Sequence, residues 1–241
     1  MPLVFAFATV LSTGLGGLFA LRNRHRLHLI LGFTAGVLLG LVAFDLLPEV
    51  FRLAGGRTLL GVPQVMVTFA AGFLLLHLVE RTAALHAGHE AAYGHHRHPN
   101  VGLLSTIALC GHSFLDGVGI GLGFQAGTSV GITVAIAVIS HDFADGLNTV
   151  GIMISHGNAR RRAVTMLVID ALAPAFGAVS TLFFSVPQPV LGLYLGFFAG
   201  FLLYLATGDI LPEAHSRNPS RMILLCTLLG MGFIWTVVAV S

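Results

Sequence analysis

Eight runs of mostly apolar residues, each about twenty long, constrain this chain more than anything else in it. They fall near 3–21, 29–51, 62–82, 101–125, 129–156, 163–185, 190–214 and 221–240. A helix of roughly twenty apolar residues crosses a hydrocarbon core about 30 Å thick. No water is available there, so each segment must satisfy its own backbone hydrogen bonds, which a helix does. The expected fold is all-α: a polytopic membrane protein of eight transmembrane helices forming one domain over 1–241. The composition of 56% hydrophobic and 9% charged residues fits, since a soluble domain carries roughly 25% charged residues.

The first run begins at residue 3 without a basic leader and ends in Arg22-Asn23-Arg24-His25-Arg26 rather than at a small-residue cleavage site. It reads as a first span, not a secretory signal. Cys110 and Cys226 fall inside runs, form no metal-ligand spacing and read as packing residues. All twelve basic residues are arginines, ten in or bordering the loops after spans one, three, five and seven, and two, Arg52 and Arg57, after span two. Positive residues stay cytoplasmic, so both termini are expected outside. The net charge of +2 follows from this bias and does not suggest a nucleic-acid partner.

Acidic residues interrupt the runs: Asp45, Glu49, Asp116, Asp142, Asp145, Asp170, Asp209 and Glu213. An aspartate at the centre of an inserted helix costs roughly 2.5 to 3.5 kcal/mol, so Asp116, Asp142 and Asp145 need pairing, hydration or a metal. Two of them belong to a repeated phrase. His112-Ser113-Phe114-Leu115-Asp116-Gly117 recurs twenty-nine residues later as His141-Asp142-Phe143-Ala144-Asp145-Gly146. In each copy the imidazole and the carboxylate are four apart, on one helix face, and both pairs fall near the middle of their runs. If spans four and five face each other, two imidazoles and two or three carboxylates converge. Such a set suits Zn²⁺, Fe²⁺, Mn²⁺ or Cd²⁺ better than Ca²⁺, and with no thiolate present the ion can be released. The plainer alternative is a hydrogen-bonded network that only packs helices.

A second phrase recurs in spans two and seven: Asp45-Leu46-Leu47-Pro48-Glu49 and Asp209-Ile210-Leu211-Pro212-Glu213, with His215 just beyond. Those spans run in opposite directions, so the phrase lands at opposite faces of the membrane, as in the inverted repeats of secondary transporters. Asp45 and Glu49 then read as an ion entrance. Asp209, Glu213 and His215 read as the exit, with His77 and Glu80 a possible extension of it. A proline-glutamate pair that merely ends a helix is the alternative for either copy alone. Glycines at 32, 36 and 40, and at 117, 119, 121 and 123, allow close helix approach. Asp170 sits one turn before Pro174, so a carboxylate and a proline-freed carbonyl could share a face. The stretch 83–100, expected as a cytoplasmic loop, holds His86, His89, His95, His96 and His98 and has the composition of a flexible metal-binding tract.

Taken together, the His-rich loop after span three, the paired H-x-x-x-D-G in spans four and five and the L-P-E in spans two and seven resemble the Zrt/Irt-like (ZIP) family of divalent metal transporters, and its bacterial branch in particular. That resemblance implies a 3+2+3 bundle in which spans 1–3 and 6–8 form an inverted repeat around spans 4 and 5. It implies import of Zn²⁺, or of Cd²⁺, Fe²⁺ or Mn²⁺, across a bacterial inner membrane, often by a homodimer. His112, Asp116, His141 and Asp145 match its primary metal site, and Ser113 and Asp142 its second. The chain departs from the pattern with Asp for Glu at 116 and 145, Leu115 and Ala144 where proline is common, and Ala173 where a binuclear member has glutamate. One strong ion position and a weak or absent second are therefore expected. The metal is cargo rather than a catalytic cofactor, and the chain has no G-x-x-x-x-G-K-[ST] nucleotide loop. Protons compete for such ligands, so uptake is expected to fall at acid pH. A membrane-embedded zinc hydrolase, with an open fourth ligand position, is the alternative from another class. It has no need of acid pairs at both faces.

Overall fold

A computed structural model describes residues 2–22, 27–53, 55–91, 99–215 and 220–240. Helices account for nearly all of it. The order is α1 (Pro2–Ala20), α2 (Leu27–Leu41) continuing through a π-helical turn Val42–Leu46 into α3 (Leu47–Leu53), and α4 (Gln64–Ala91). Then follow α5 (Pro99–Ala126), α6 (Thr128–Ser155), α7 (Arg160–Ser180), and α8 (Gln188–Tyr204) continuing through a second π-helical turn Leu205–Ile210 into α9 (Leu211–His215). The last is α10 (Arg221–Val240). Between α3 and α4, a hairpin pairs β1 (Thr58–Leu59) with β2 (Val62–Pro63) through Leu60 and Gly61, both at positive φ, as a tight two-residue turn requires.

Among the described residues, seven helical segments are long and apolar enough to cross a membrane: Pro2–Ala20, His28–Leu53, Gly102–Ala126, Thr128–Ile154, Arg160–Phe183, Gln188–Gly208 and Arg221–Ala239. The remaining expected span is α4, whose apolar part is the shorter Gln64–Val79 before Glu80 and Arg81. This helix also runs on to Ala91, so the first half of the expected His-rich loop is helical. Alanines fill that stretch, and no proline interrupts it before Pro99 opens α5.

The two π turns have a common cause. Pro48 and Pro212 have no N–H, and each ring crowds the carbonyl four residues back. The preceding residues reach one step further than in an α-helix: Leu47 N–H bonds the Val42 carbonyl and Leu211 N–H the Ala206 carbonyl. Such turns interrupt a helix locally and recur at functional sites.

Helix α6 lies at the centre, with 72% of its most apolar stretch buried against 17% for that of α10. Glycine sets the spacing around it. A Cβ at Gly16 of α1 would strike the Phe143 carbonyl of α6, and one at Gly146 would strike the Thr13 carbonyl of α1. The same reciprocal contact joins α5 to α7, Gly117 meeting the Pro174 carbonyl and Gly177 the Phe114 carbonyl. It joins α2 to α10 through Gly36 with Thr227 and Gly230 with Phe33, and α4 to α8 through Gly72 with Phe197 and Gly200 with Phe69. Phe114, Gly117, Phe143 and Gly146 all belong to the repeated phrase, so its phenylalanine carbonyls and glycines pack the helices that carry its histidines and aspartates.

Candidate metal centre

Helices α5 and α6 pack together where the two copies of the phrase lie. The spacing of four turns each imidazole and carboxylate to the shared interface. One ligand atom each from His112, Asp116, His141 and Asp145 lies within 4.8 Å of all the others. His112 Nε2 is 3.1 Å from Asp116 Oδ2 and 3.7 Å from Asp145 Oδ2, while His141 Nε2 is 3.4 Å and 3.6 Å from the same two atoms. Both imidazoles thus face both carboxylates across the helix pair. None of the four side chains exceeds 7% exposure.

His141 is oriented by its own helix. Its Nδ1 lies 3.1 Å from the Ala137 carbonyl, which can only accept, so Nδ1 donates there and Nε2 is the nitrogen turned to the carboxylates, 3.4 Å from Asp116 Oδ2. A carbonyl behind the ring is the usual support for a metal-binding histidine. His112 is held differently, by stacking on Phe201 of α8 with centroids 4.9 Å apart and planes 24° apart. Phe201 carries no polar atom, so nothing in the sequence signalled its place beside His112.

Asp142 lies beside the four. Its Oδ1 is 3.8 Å from His141 Nε2, and neither carboxylate oxygen has a hydrogen-bond partner. Asp116 Oδ1 and His112 Nδ1 are likewise buried without one. Carboxylates in such a place are costly unless a cation or proton joins them.

Asp170 has both carboxylate oxygens engaged: Ser113 Oγ donates to Oδ1 at 2.7 Å and Thr149 Oγ1 to Oδ2 at 2.6 Å. The bonds tie α7 to α5 and α6. Thr149 is a residue that sequence reasoning missed, although it lies one turn beyond Asp145 on the same face.

At one candidate mouth, Asp45 sits in the first π turn, nine-tenths buried, with Oδ2 lacking a hydrogen-bond partner. Glu49 accepts two hydrogen bonds from Arg52. At the other mouth, His215 Nδ1 donates to the Leu211 carbonyl at 2.9 Å, and His77 Nδ1 lies 3.3 Å from the Tyr204 hydroxyl. Asp209 and Glu213 belong to the second π turn and α9, and His86 and His89 to α4, but their side chains lie outside the described residues, as does that of Glu80. His95, His96 and His98 lie outside them altogether.

A family profile described as ZIP Zinc transporter matches residues 89–237, which covers α5 to α10 and hence the whole cluster. The chain is 28% identical over 240 residues to the zinc transporter ZupT of Chlorobium phaeovibrioides, covering 92% of this chain and 90% of that protein. With ZupT of Chlorobium luteolum the identity is 26% at the same coverage. The zinc transporter zipt-7.1 of Caenorhabditis briggsae is 26% identical over 155 residues, 56% of this chain but only 39% of the longer worm protein. A profile over more than half of the chain, near-complete alignment to bacterial relatives and a buried His/Asp cluster on paired helices agree: the chain belongs to the ZIP zinc transporter family.

Proposed function

We propose that this chain carries divalent transition-metal ions, Zn²⁺ foremost and Cd²⁺, Fe²⁺ or Mn²⁺ besides, across a bacterial inner membrane into the cytoplasm. The observation that carries this reading is the cluster of His112, Asp116, His141 and Asp145, four ligand atoms from two helices within 4.8 Å. Two imidazoles and two carboxylates make a borderline, exchangeable donor set. Asp142 supplies a further oxygen beside His141. Ser113 and Asp170 are engaged with each other, which favours a single ion position over two. Family membership favours transport over the hydrolase alternative.

The path runs from Asp45 and Glu49, through the cluster near the bilayer midplane, to Asp209, Glu213 and His215, with His77 near the exit. His86, His89, His95, His96 and His98 bind delivered ions weakly on the cytoplasmic side. Eight spans in a 3+2+3 arrangement make the frame, α4 being the third. The reciprocal glycine contacts support the inverted repeat. Exchanging the first three spans with the last three, and α5 with α6, turns the pair Gly16/Phe143 into Gly177/Phe114 and the pair Gly36/Thr227 into Gly200/Phe69. Transport follows when the group of α1, α5, α6 and α7 moves against the other helices, and two copies of the chain assemble as a dimer.

The test is influx into liposomes holding a metal-sensitive dye, comparing wild type with His141→Ala and Asp145→Ala for Zn²⁺, Cd²⁺, Fe²⁺ and Mn²⁺. Influx of at least one ion that both substitutions abolish is expected. Undiminished influx in both variants would overturn the site, and no influx of any ion would overturn transport.

A further inference from the structure

The outer candidate mouth holds a cation of its own. Arg52 and Glu49 lie three residues apart on α3, on one helix face. Arg52 donates from Nε to Glu49 Oε2 at 2.6 Å and from Nη2 to Oε1 at 2.5 Å, so one guanidinium fork fills both carboxylate oxygens. The carboxylate side of this pair is buried, at 10% exposure, while the Arg52 side chain is 61% exposed. One turn deeper, Asp45 is nine-tenths buried and its Oδ2 has no hydrogen-bond partner. The outer acid of the proposed entrance is covered and the inner one is not.

In the related phrase at the other mouth the spacing differs: Glu213 is followed by Ala214, His215 and Ser216, with Arg217 four residues on rather than three.

We propose that Arg52 is a latch on the entrance: its guanidinium occupies the Glu49 carboxylate between transport events, and an arriving divalent ion exchanges with it before moving on to Asp45. The proposal rests on reading Asp45 and Glu49 as the entrance. The exchange is easy because the Arg52 side chain is exposed at the end of its span, and an ion pair open to solvent is weak and screened. A divalent ion carries twice the charge in a smaller radius and can bind carboxylate oxygen directly. The displaced guanidinium swings out to solvent without leaving a buried charge behind. Arg52 thereby sets the ion concentration at which the entrance fills, and it discriminates against monovalent cations that cannot displace it.

The experiment is Zn²⁺ influx into liposomes as a function of Zn²⁺ concentration, using the full chain as wild type, Arg52→Gln, Arg52→Lys, Glu49→Gln and the Arg52→Gln/Glu49→Gln pair. Arg57→Gln serves as control, being the same charge change five residues on, just before β1, at an exposed residue that does not touch Glu49. Arg52→Gln is expected to lower KM by about two- to five-fold with kcat unchanged, the range such exposed pairs span. Arg52→Lys, which keeps the charge but loses the fork, falls between. Arg57→Gln leaves KM near wild type, and in the Glu49→Gln background removing Arg52 has no further effect. The latch is overturned if Arg52→Gln behaves like Arg57→Gln, or if its gain survives without Glu49. The entrance itself fails in a different way, by Glu49→Gln alone leaving KM unchanged.

Discussion

The Nδ1 of His141 is committed to the Ala137 carbonyl, and that one bond decides what the other nitrogen can do. Nε2, 3.4 Å from Asp116 Oδ2 and 3.6 Å from Asp145 Oδ2, is the nitrogen left to bind a divalent ion between them. Replacing His141 by alanine therefore removes a preorganised ligand. Loss of an outer support alone typically costs about 10- to 100-fold in metal affinity, so His141→Ala is expected to lower Zn²⁺ affinity at least that far, read by titration of the purified protein. Asp170 presents the opposite case, a buried carboxylate already satisfied by two hydroxyls. Thr149→Val keeps the shape and deletes one donor. It is expected to cost about 1–3 kcal/mol of stability, measured as a lowered unfolding midpoint in detergent. A Thr149→Val variant as stable as wild type would show that the bond to Asp170 contributes nothing.

At the scale of elements, four pairs of helices are held together by glycines set against carbonyls. Gly117 and Gly146 close the two copies of the repeated phrase, and each sits against the backbone of a neighbouring helix. Gly117→Ala and Gly146→Ala are expected to destabilise by about 1–3 kcal/mol each, because the added methyl can be accommodated only by separating two backbones. Gly111 and Gly151 lie on the same two helices with nothing near their missing side chains, so alanine there is expected to stabilise by about 0.5–1 kcal/mol. Thermal unfolding of the four variants in one detergent checks both signs at once. The glycines were visible in the sequence, but their partners were not, since glycine spacing carries no information about which helix approaches. The extension of α4 to Ala91 was missed for a related reason: the histidine-rich composition reads as loop, whereas the alanines among those histidines favour helix.

For the whole molecule, the proposed topology is open to direct test. Ten arginines against two lead to the proposal that both termini lie on the outer side. Single cysteines introduced into a chain with Cys110 and Cys226 replaced by alanine test this. A cysteine at Pro2 is expected to react with a membrane-impermeant maleimide in intact cells. One at Arg161, in the arginine cluster that opens α7, is expected to react only after the membrane is opened. The reverse pattern would invert the topology and exchange entrance with exit.

The sequence alone determined the solvent, the helical class and the two phrases that supply the candidate ligands. Each of these is a local property: run length sets whether a segment crosses the bilayer, and a spacing of four sets which side chains share a helix face. Tertiary structure decided which faces meet. It brought His112 and His141 to the same two carboxylates, set Phe201 against His112, and gave Asp170 the hydroxyls of Ser113 and Thr149. Those outcomes depend on backbones approaching at glycines far apart in the chain, and no local pattern specifies which glycine meets which carbonyl.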